Sequence, residues 1–262
     1  MSNKNNELLT FGGHLEVLRQ MLFRILGVIA VLAVVVFSFK DTTWKLLLAP
    51  SEWNFCTYRW IEHTMKILGI NFQFEEFHVN LIATDLSSQF MTHISTACYL
   101  GMLGASPYIM FELFRFISPA LYDNERRYSV QVAGIIYALF ILGVLMSYYV
   151  LFPISFRFLG TYSVSARVVS NITLDSYVST FVSLTLVMGL VFQLPVIAFF
   201  LAKMEFISSD ILSKYRKHSF IVIMLVAAII TPPDLMTLIL VTIPLYLLYE
   251  VSIRVVKWVE PK

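Results

Sequence analysis

Phe116-Ile117-Ser118-Pro119-Ala120-Leu121-Tyr122-Asp123-Asn124-Glu125-Arg126-Arg127 is a short, charged, proline-broken stretch between two uncharged runs, residues 86–111 with 26 residues and 128–156 with 29. At about 1.5 Å per residue, roughly 20 apolar residues in a helix cross the ~30 Å hydrocarbon core of a bilayer. Each flanking run is therefore a spanning helix, and the quoted stretch is the loop that joins them at one membrane face. The composition agrees. Hydrophobic residues make up 58% of the chain and charged residues 14%, too few to cover a water-facing globule, so lipid must be its solvent.

Working outward, the first helix falls over about residues 20–39, built on the uncharged run 25–39. The others fall over about 86–114, 128–156, 176–202, 219–231 and 235–252. The last two rest on 15-residue uncharged runs, 219–233 and 235–249, separated only by Asp234. Each run covers roughly 22 Å, short of a typical core, so the bilayer beside them should be thinned or wet. Pro232, Pro233 and Asp234 make a turn between two short helices rather than a kink in one long helix. The expected fold is an all-α integral membrane protein of six transmembrane helices, a single polytopic domain over residues 1–262. Residues 1–11 are polar and no cleavable signal pattern precedes the first apolar run, so that run should stay as a helix.

Six spans put both termini on one side. The N-terminal segment, the central loop, the loop after helix four and the C-terminal tail carry 13 of the 19 lysines and arginines. The remaining six are spread over two longer segments, so the termini and the central loop are expected to be cytoplasmic. The first outer segment, 40–85, holds Trp44, Trp53 and Trp60. Amphipathic rings of this kind sit at headgroup level, and short helices near 43–48 and 58–68 are expected to form an outer cap. Net charge is only +2 and the thiols are Cys56 and Cys98 alone. Neither nucleic-acid binding, a disulfide framework nor a metal cluster follows, and no cofactor is implied.

Glu125 directly precedes Arg126 and Arg127 in the central loop. It either pairs with Arg126 and Arg127 at the headgroups or docks a cationic ligand at the cytosolic surface. Phe116, one helical turn after Glu112, adds an aromatic edge, which suits a guanidinium because arginine both pairs and stacks. Glu16 and Arg19 share a helix face before the first span. Gln193 and Pro195 lie within helix four, where an amide needs a partner on another helix or in a wet cavity. Asp234 is either a simple cap of helix six or a partner contact. Pro153 and Pro244 should each bend a span. His93 is a proton carrier or a structural residue. Hydrolase and nucleotide motifs are absent, so an enzyme is not expected.

His14-Leu15-Glu16-Val17-Leu18-Arg19, Ala83-Thr84-Asp85, the central loop from Phe116 through Pro119 to Arg127, Phe152-Pro153, Phe192-Gln193-Leu194-Pro195, Thr231-Pro232-Pro233-Asp234 and the stretch Ile243-Pro244-Leu245-Tyr246 occur in this order along the chain. Together they resemble TatC, the multi-span core of the twin-arginine protein translocase. The resemblance implies a glove-shaped receptor in the bacterial cytoplasmic membrane. It would bind twin-arginine signal peptides of folded proteins and self-associate in the receptor complex. Single-span partners of the TatA and TatB type would join it, and the proton-motive force would drive export without nucleotide hydrolysis.

By the same resemblance Glu125 receives the signal's arginines, with Phe116 and Arg127 lining the site and Arg19 on the N-terminal part of the recognition surface. Pro50 is a functional proline of the outer cap, Pro119 belongs to the loop motif, and Gln193 and Asp234 are polar positions of helix four and the hairpin turn. Two departures stand out. The family usually places an acid directly before the Leu-Arg pair, where this chain has Val17. The nearby acid is Glu16, about 100° round the helix, which leaves the second-carboxylate role open. A glutamate frequent in helix four is Gln193 here, which removes a charge that could carry a proton. The competing class is a secondary transporter of a small solute or ion, which would show intramembrane charged pairs or related halves with broken helices.

Overall fold

The computed structural model describes residues 11–71, 73–117, 129–163, 165, 171–231 and 234–260. In chain order its helices are α1 (Phe11–Ser38), α2 (Lys40–Leu48), α3 (Cys56–Ile67), α4 (Ser88–Ile117), α5 (Ser129–Met146), α6 (Phe152–Thr161), α7 (Leu174–Val191), α8 (Leu194–Lys203), α9 (Ser209–Lys214), α10 (Arg216–Ile230) and α11 (Leu235–Val259). A 3₁₀ turn at Ala49–Ser51 follows α2, and a π-helical turn at Ser147–Leu151 joins α5 to α6. Among the described residues, five stretches are long and apolar enough to cross a membrane: Leu15–Ser38, Ser88–Leu113, Ala133–Thr161, Leu174–Lys203 and Leu235–Val259. The contacts define two compact units, one of Met1–Lys40 with His93–Tyr137 and the other of Asp41–Thr92 with Ala138–Lys262.

In the first unit α1 and α4 run antiparallel. The Phe37 ring stacks on His93 with centroids 4.3 Å apart, Gly101 backs onto Ala33, and Arg24 reaches Glu112. A Cβ on Gly101 would stand 2.8 Å from the Ala33 nitrogen, so glycine is what lets these two backbones meet. Helix α1 begins well before the expected start at Gln20, at Phe11. Its extra turns mix Leu15, Val17 and Leu18 with two glycines and the charged Glu16 and Arg19. They are held by side chains three and four apart, with the Arg19 guanidinium and the Gln20 amide both donating to Glu16 Oε1. Such pairs support a helix that apolarity alone does not reveal.

The second unit is centred on α7. Its buried side chains Tyr177, Phe181, Leu184 and Met188 pack with Leu151, Phe152, Val241 and Leu245. Helices α5 and α7 cross closely because Gly143 faces the Met188 carbonyl and Gly189 faces the Phe140 ring. Ser147 and Thr185 join hydroxyls at 3.2 Å just beyond. Ala198 and Ala202 of α8 pack with Val256 of α11, again small residues where helices approach.

The cap helices dock on carbonyls that prolines leave open. Pro50 offers no N–H to Leu46 or Leu47. Instead the Tyr148 hydroxyl donates to the Leu46 carbonyl and the Tyr177 hydroxyl to that of Leu47, each at 2.8 Å. Pro153 likewise frees the Tyr149 carbonyl, which accepts from the Thr57 hydroxyl, and the Tyr58 hydroxyl donates to the Pro153 carbonyl at 2.7 Å. The Arg157 guanidinium lies against three rings, 4.3 Å from Phe74, 4.8 Å from Phe77 and 5.3 Å from Tyr58. Burial pushes the Tyr58 pKa up, against the opposing pull of Arg157.

Four features depart from the sequence reading. Helix four is broken at Phe192–Gln193, because Pro195 cannot return an N–H to Val191, so Gln193 precedes α8 rather than lying inside a continuous helix. The bend near Pro153 is a π turn. Helix α11 runs 25 residues to Val259, so the last helix is not short. Only its apolar part is, and the helix continues through Glu250, Arg254 and Lys257. Finally, two-residue strands at Leu81–Ile82 and Ile172–Thr173 pair in parallel in a chain expected to be all helical. Helix α10, expected over about 219–231, begins three residues earlier at Arg216 and ends at Ile230, and Thr231 to Asp234 separates it from α11.

Candidate functional site

At the N-terminal end of α1 and the C-terminal end of α4, within the first unit, lies a cavity of about 310 Å³. It is lined by Val17, Gln20, Met21 and Arg24 from α1 and by Glu112, Arg115 and Phe116 from α4. The spacing explains the set. Positions 17, 20, 21 and 24 share one face of a 3.6-residue helix, as do 112, 115 and 116.

Glu112 is only 5% exposed. Its Oε1 accepts from Arg24 Nη1 at 3.2 Å and from the Tyr108 hydroxyl at 3.0 Å. Tyr108 and Glu112 are four apart on α4, so the phenol reaches the acid along the helix face. The carboxylate is thus fixed by one cation and one neutral donor, both on the same oxygen. A buried charge with so few donors is costly to keep for stability alone, which marks Glu112 as a functional candidate.

Of the expected site residues, the structure brings Phe116 to this cavity. Arg19 and Glu16 stand on the neighbouring face of α1, paired with each other at 2.7 Å, with side chains 66% and 46% exposed. Val17, one position on from Glu16, lines the cavity itself. Glu125, Arg127 and Pro119 lie outside the described residues. In the second unit Pro50 is buried in the 3₁₀ turn that follows α2, and Gln193 is buried at the start of α8. Asp234 caps α11 by accepting the Thr237 N–H at 2.7 Å, which suits a carboxylate at a helix N-terminus.

The sequence reading assigned no role at this site to Arg24, Glu112 or Tyr108. Glu112 figures there only as a neighbour of Phe116. The available signal was an acid four residues before Phe116, with Tyr108 four residues before that, at the end of an uncharged run. Among the described residues no group of three or more histidine, cysteine or acidic side chains is arranged to hold a metal ion.

Over residues 13–244 the chain matches the family model described as Sec-independent protein translocase protein (TatC). The chain belongs to the TatC family. It is 34% identical over 266 residues to the TatC protein of Blattabacterium sp. subsp. Periplaneta americana (strain BPLAN), covering 100% of both chains. It is 32% identical to that of Carboxydothermus hydrogenoformans, covering 97% of this chain and 95% of the relative. The crystal structure of the twin-arginine translocase receptor TatC superposes with a TM-score of 0.73 at 28% identity, covering 94% of this chain and 99% of the other. The same receptor crystallised in DDM gives 0.74 at 27% identity, covering 92% and 98%. A TatC protein is a component of a protein translocase. With its long apolar helices, this one is a multi-pass protein of the inner membrane.

Proposed function

We propose that this TatC protein is the receptor and core subunit of a twin-arginine translocase. It binds twin-arginine signal peptides of folded proteins and supports their export on the proton-motive force, with single-span TatA- and TatB-type partners and further copies of itself. It works as one polytopic domain of six spans, α10 being the fifth, with both termini and the α4–α5 loop in the cytoplasm. No bond is made or broken, so it is not an enzyme.

The observation that carries this reading is the cavity between the ends of α1 and α4, where Phe116 and the buried Glu112 line one space. An acid beside an aromatic in a partly apolar site suits a guanidinium, which is planar, weakly hydrated and able to pair and stack at once. Glu125 and Arg127 follow in the loop between α4 and α5, and Arg19 with Glu16 forms the outer part of the recognition surface. The apolar part of a signal peptide then lies along neighbouring helices.

The test is transport. A folded reporter carrying a twin-arginine signal should reach the far side of the membrane in cells where this chain, with its single-span partners, is the sole TatC protein. Transport should stop when the proton-motive force is collapsed or the two arginines become lysines. Export that ignores both changes would overturn the reading.

A further inference from the structure

We propose that Glu112 is the second carboxylate of the signal-peptide site and receives one of the two peptide arginines. The inference rests on the receptor reading above and adds to it a residue and a mechanism.

The α1 face that lines the cavity offers no acid. Val17, Gln20 and Met21 present apolar or amide side chains there, and Arg24 is a cation. Glu16 is turned to the adjacent face, where Arg19 and Gln20 already occupy its Oε1. Glu112 is the acid that lines the cavity. Its Oε1 is shared by Arg24 and Tyr108, and among the described residues its Oε2 accepts no hydrogen bond. A carboxylate can accept a fork of two parallel N–H groups from a guanidinium. The present partner uses only one oxygen, at 3.2 Å. Phe116, one turn further along α4, supplies a ring for the same guanidinium.

Arg24 is then a resident surrogate for the ligand. In the empty site it compensates the buried charge of Glu112, and a peptide arginine must share or displace it. Lysine is a poorer competitor because it is more strongly hydrated and bonds as a point charge. Arg24 and Glu112 thus act with opposite sign on binding, which a purely structural ion pair would not do. Losing either member of a structural pair harms the site in the same direction.

The experiment is equilibrium binding of a synthetic twin-arginine signal peptide, and of Lys-Arg, Arg-Lys and Lys-Lys versions, to the full-length protein in nanodiscs. Wild type is compared with Glu112→Gln, Arg24→Gln, the double variant and Glu125→Ala. We expect Glu112→Gln to weaken the twin-arginine peptide at least about tenfold, as for a lost charge-assisted bond. One of the single-lysine peptides should lose its disadvantage in that variant. Arg24→Gln should tighten binding several-fold. The double variant, which removes both charges and leaves neither buried alone, should bind like Glu112→Gln and guards against a folding defect in the single variant. If Arg24→Gln and Glu112→Gln weaken binding alike, or neither changes it while Glu125→Ala abolishes it, the Glu112 assignment is wrong and the receptor reading stands. If the wild type binds all four peptides equally, both are wrong.

Discussion

The Tyr148 hydroxyl donates to the Leu46 carbonyl at 2.8 Å, and Pro50 is the residue whose missing N–H leaves that carbonyl open. The Tyr177 hydroxyl serves Leu47 in the same way from a side chain only 2% exposed. Tyr177→Phe strands a buried carbonyl and should cost about 1–3 kcal/mol, read as a lower unfolding temperature in detergent. An unchanged transition would mean that the cap is not held through these carbonyls.

Gly143 and Gly189 are where α5 and α7 meet. A Cβ at Gly143 would stand 2.5 Å from the Met188 carbonyl oxygen, and one at Gly189 would stand 2.7 Å from the Phe140 ring. Gly143→Ala should destabilise the protein by about 1–3 kcal/mol. Gly189→Ala should cost less, because a ring yields more readily than backbone. Gly134, on the same helix as Gly143 with nothing within 4 Å of its Cβ position, is the control. Gly134→Ala should be neutral or stabilising by up to about 1 kcal/mol. Thermal unfolding of the three variants distinguishes close packing from a general dislike of alanine.

Arg157 is held by three ring faces and donates from Nη2 to the Glu75 carbonyl at 3.0 Å. Arg157→Met keeps the aliphatic stem and loses the cation, and should cost about 1–2 kcal/mol. Arg157→Lys should recover only part of that, since an ammonium cannot lie flat against several rings. Limited proteolysis between residues 69 and 80 should speed up in the order wild type, Lys, Met. Equal cleavage of all three would show that the rings do not depend on the guanidinium.

Glu260 accepts hydrogen bonds from the Ser209 hydroxyl and backbone N–H, which hold its pKa below the usual glutamate value of 4.5. A lowered folded-state pKa means that the contact stabilises above the unfolded value and is lost as pH falls through the folded one. Hydrogen exchange at the start of α9 should therefore be slow and flat with pH above about 4.5, after correction for intrinsic rates, and should lose protection below it. Glu260→Gln should remove that step. A step that persists in the variant would assign it to another group.

The long runs flanking the central loop were legible because twenty uncharged residues have few alternatives in water or lipid, and the 15-residue run behind α10 was marked off by the two prolines that follow it. Termini were less so. The first turns of α1 carry two glycines and the charged Glu16 and Arg19 ahead of the uncharged run, and the Glu16–Arg19–Gln20 set that supports a helix there is a local pattern that counting uncharged residues passes over. The break at Gln193 was written in Pro195, but a proline in a span signals a bend, a π turn or a break with equal force. The choice depends on which carbonyl finds another donor. The least legible feature was the site itself. Arg24 and Glu112 are 88 residues apart in sequence, and nothing local to either announces the other. Only the antiparallel packing of α1 on α4 joins them.

The most direct test of the receptor account is site-specific photocrosslinking from position 17, with Leu26 as the control position further along α1. A photoreactive residue replaces Val17 in the full-length protein in membranes, and a precursor with a twin-arginine signal is added. The account predicts a crosslink to the signal peptide from position 17, strongly reduced when the two arginines are lysines, and little from position 26. A crosslink indifferent to that exchange, or one arising only from position 26, would contradict it.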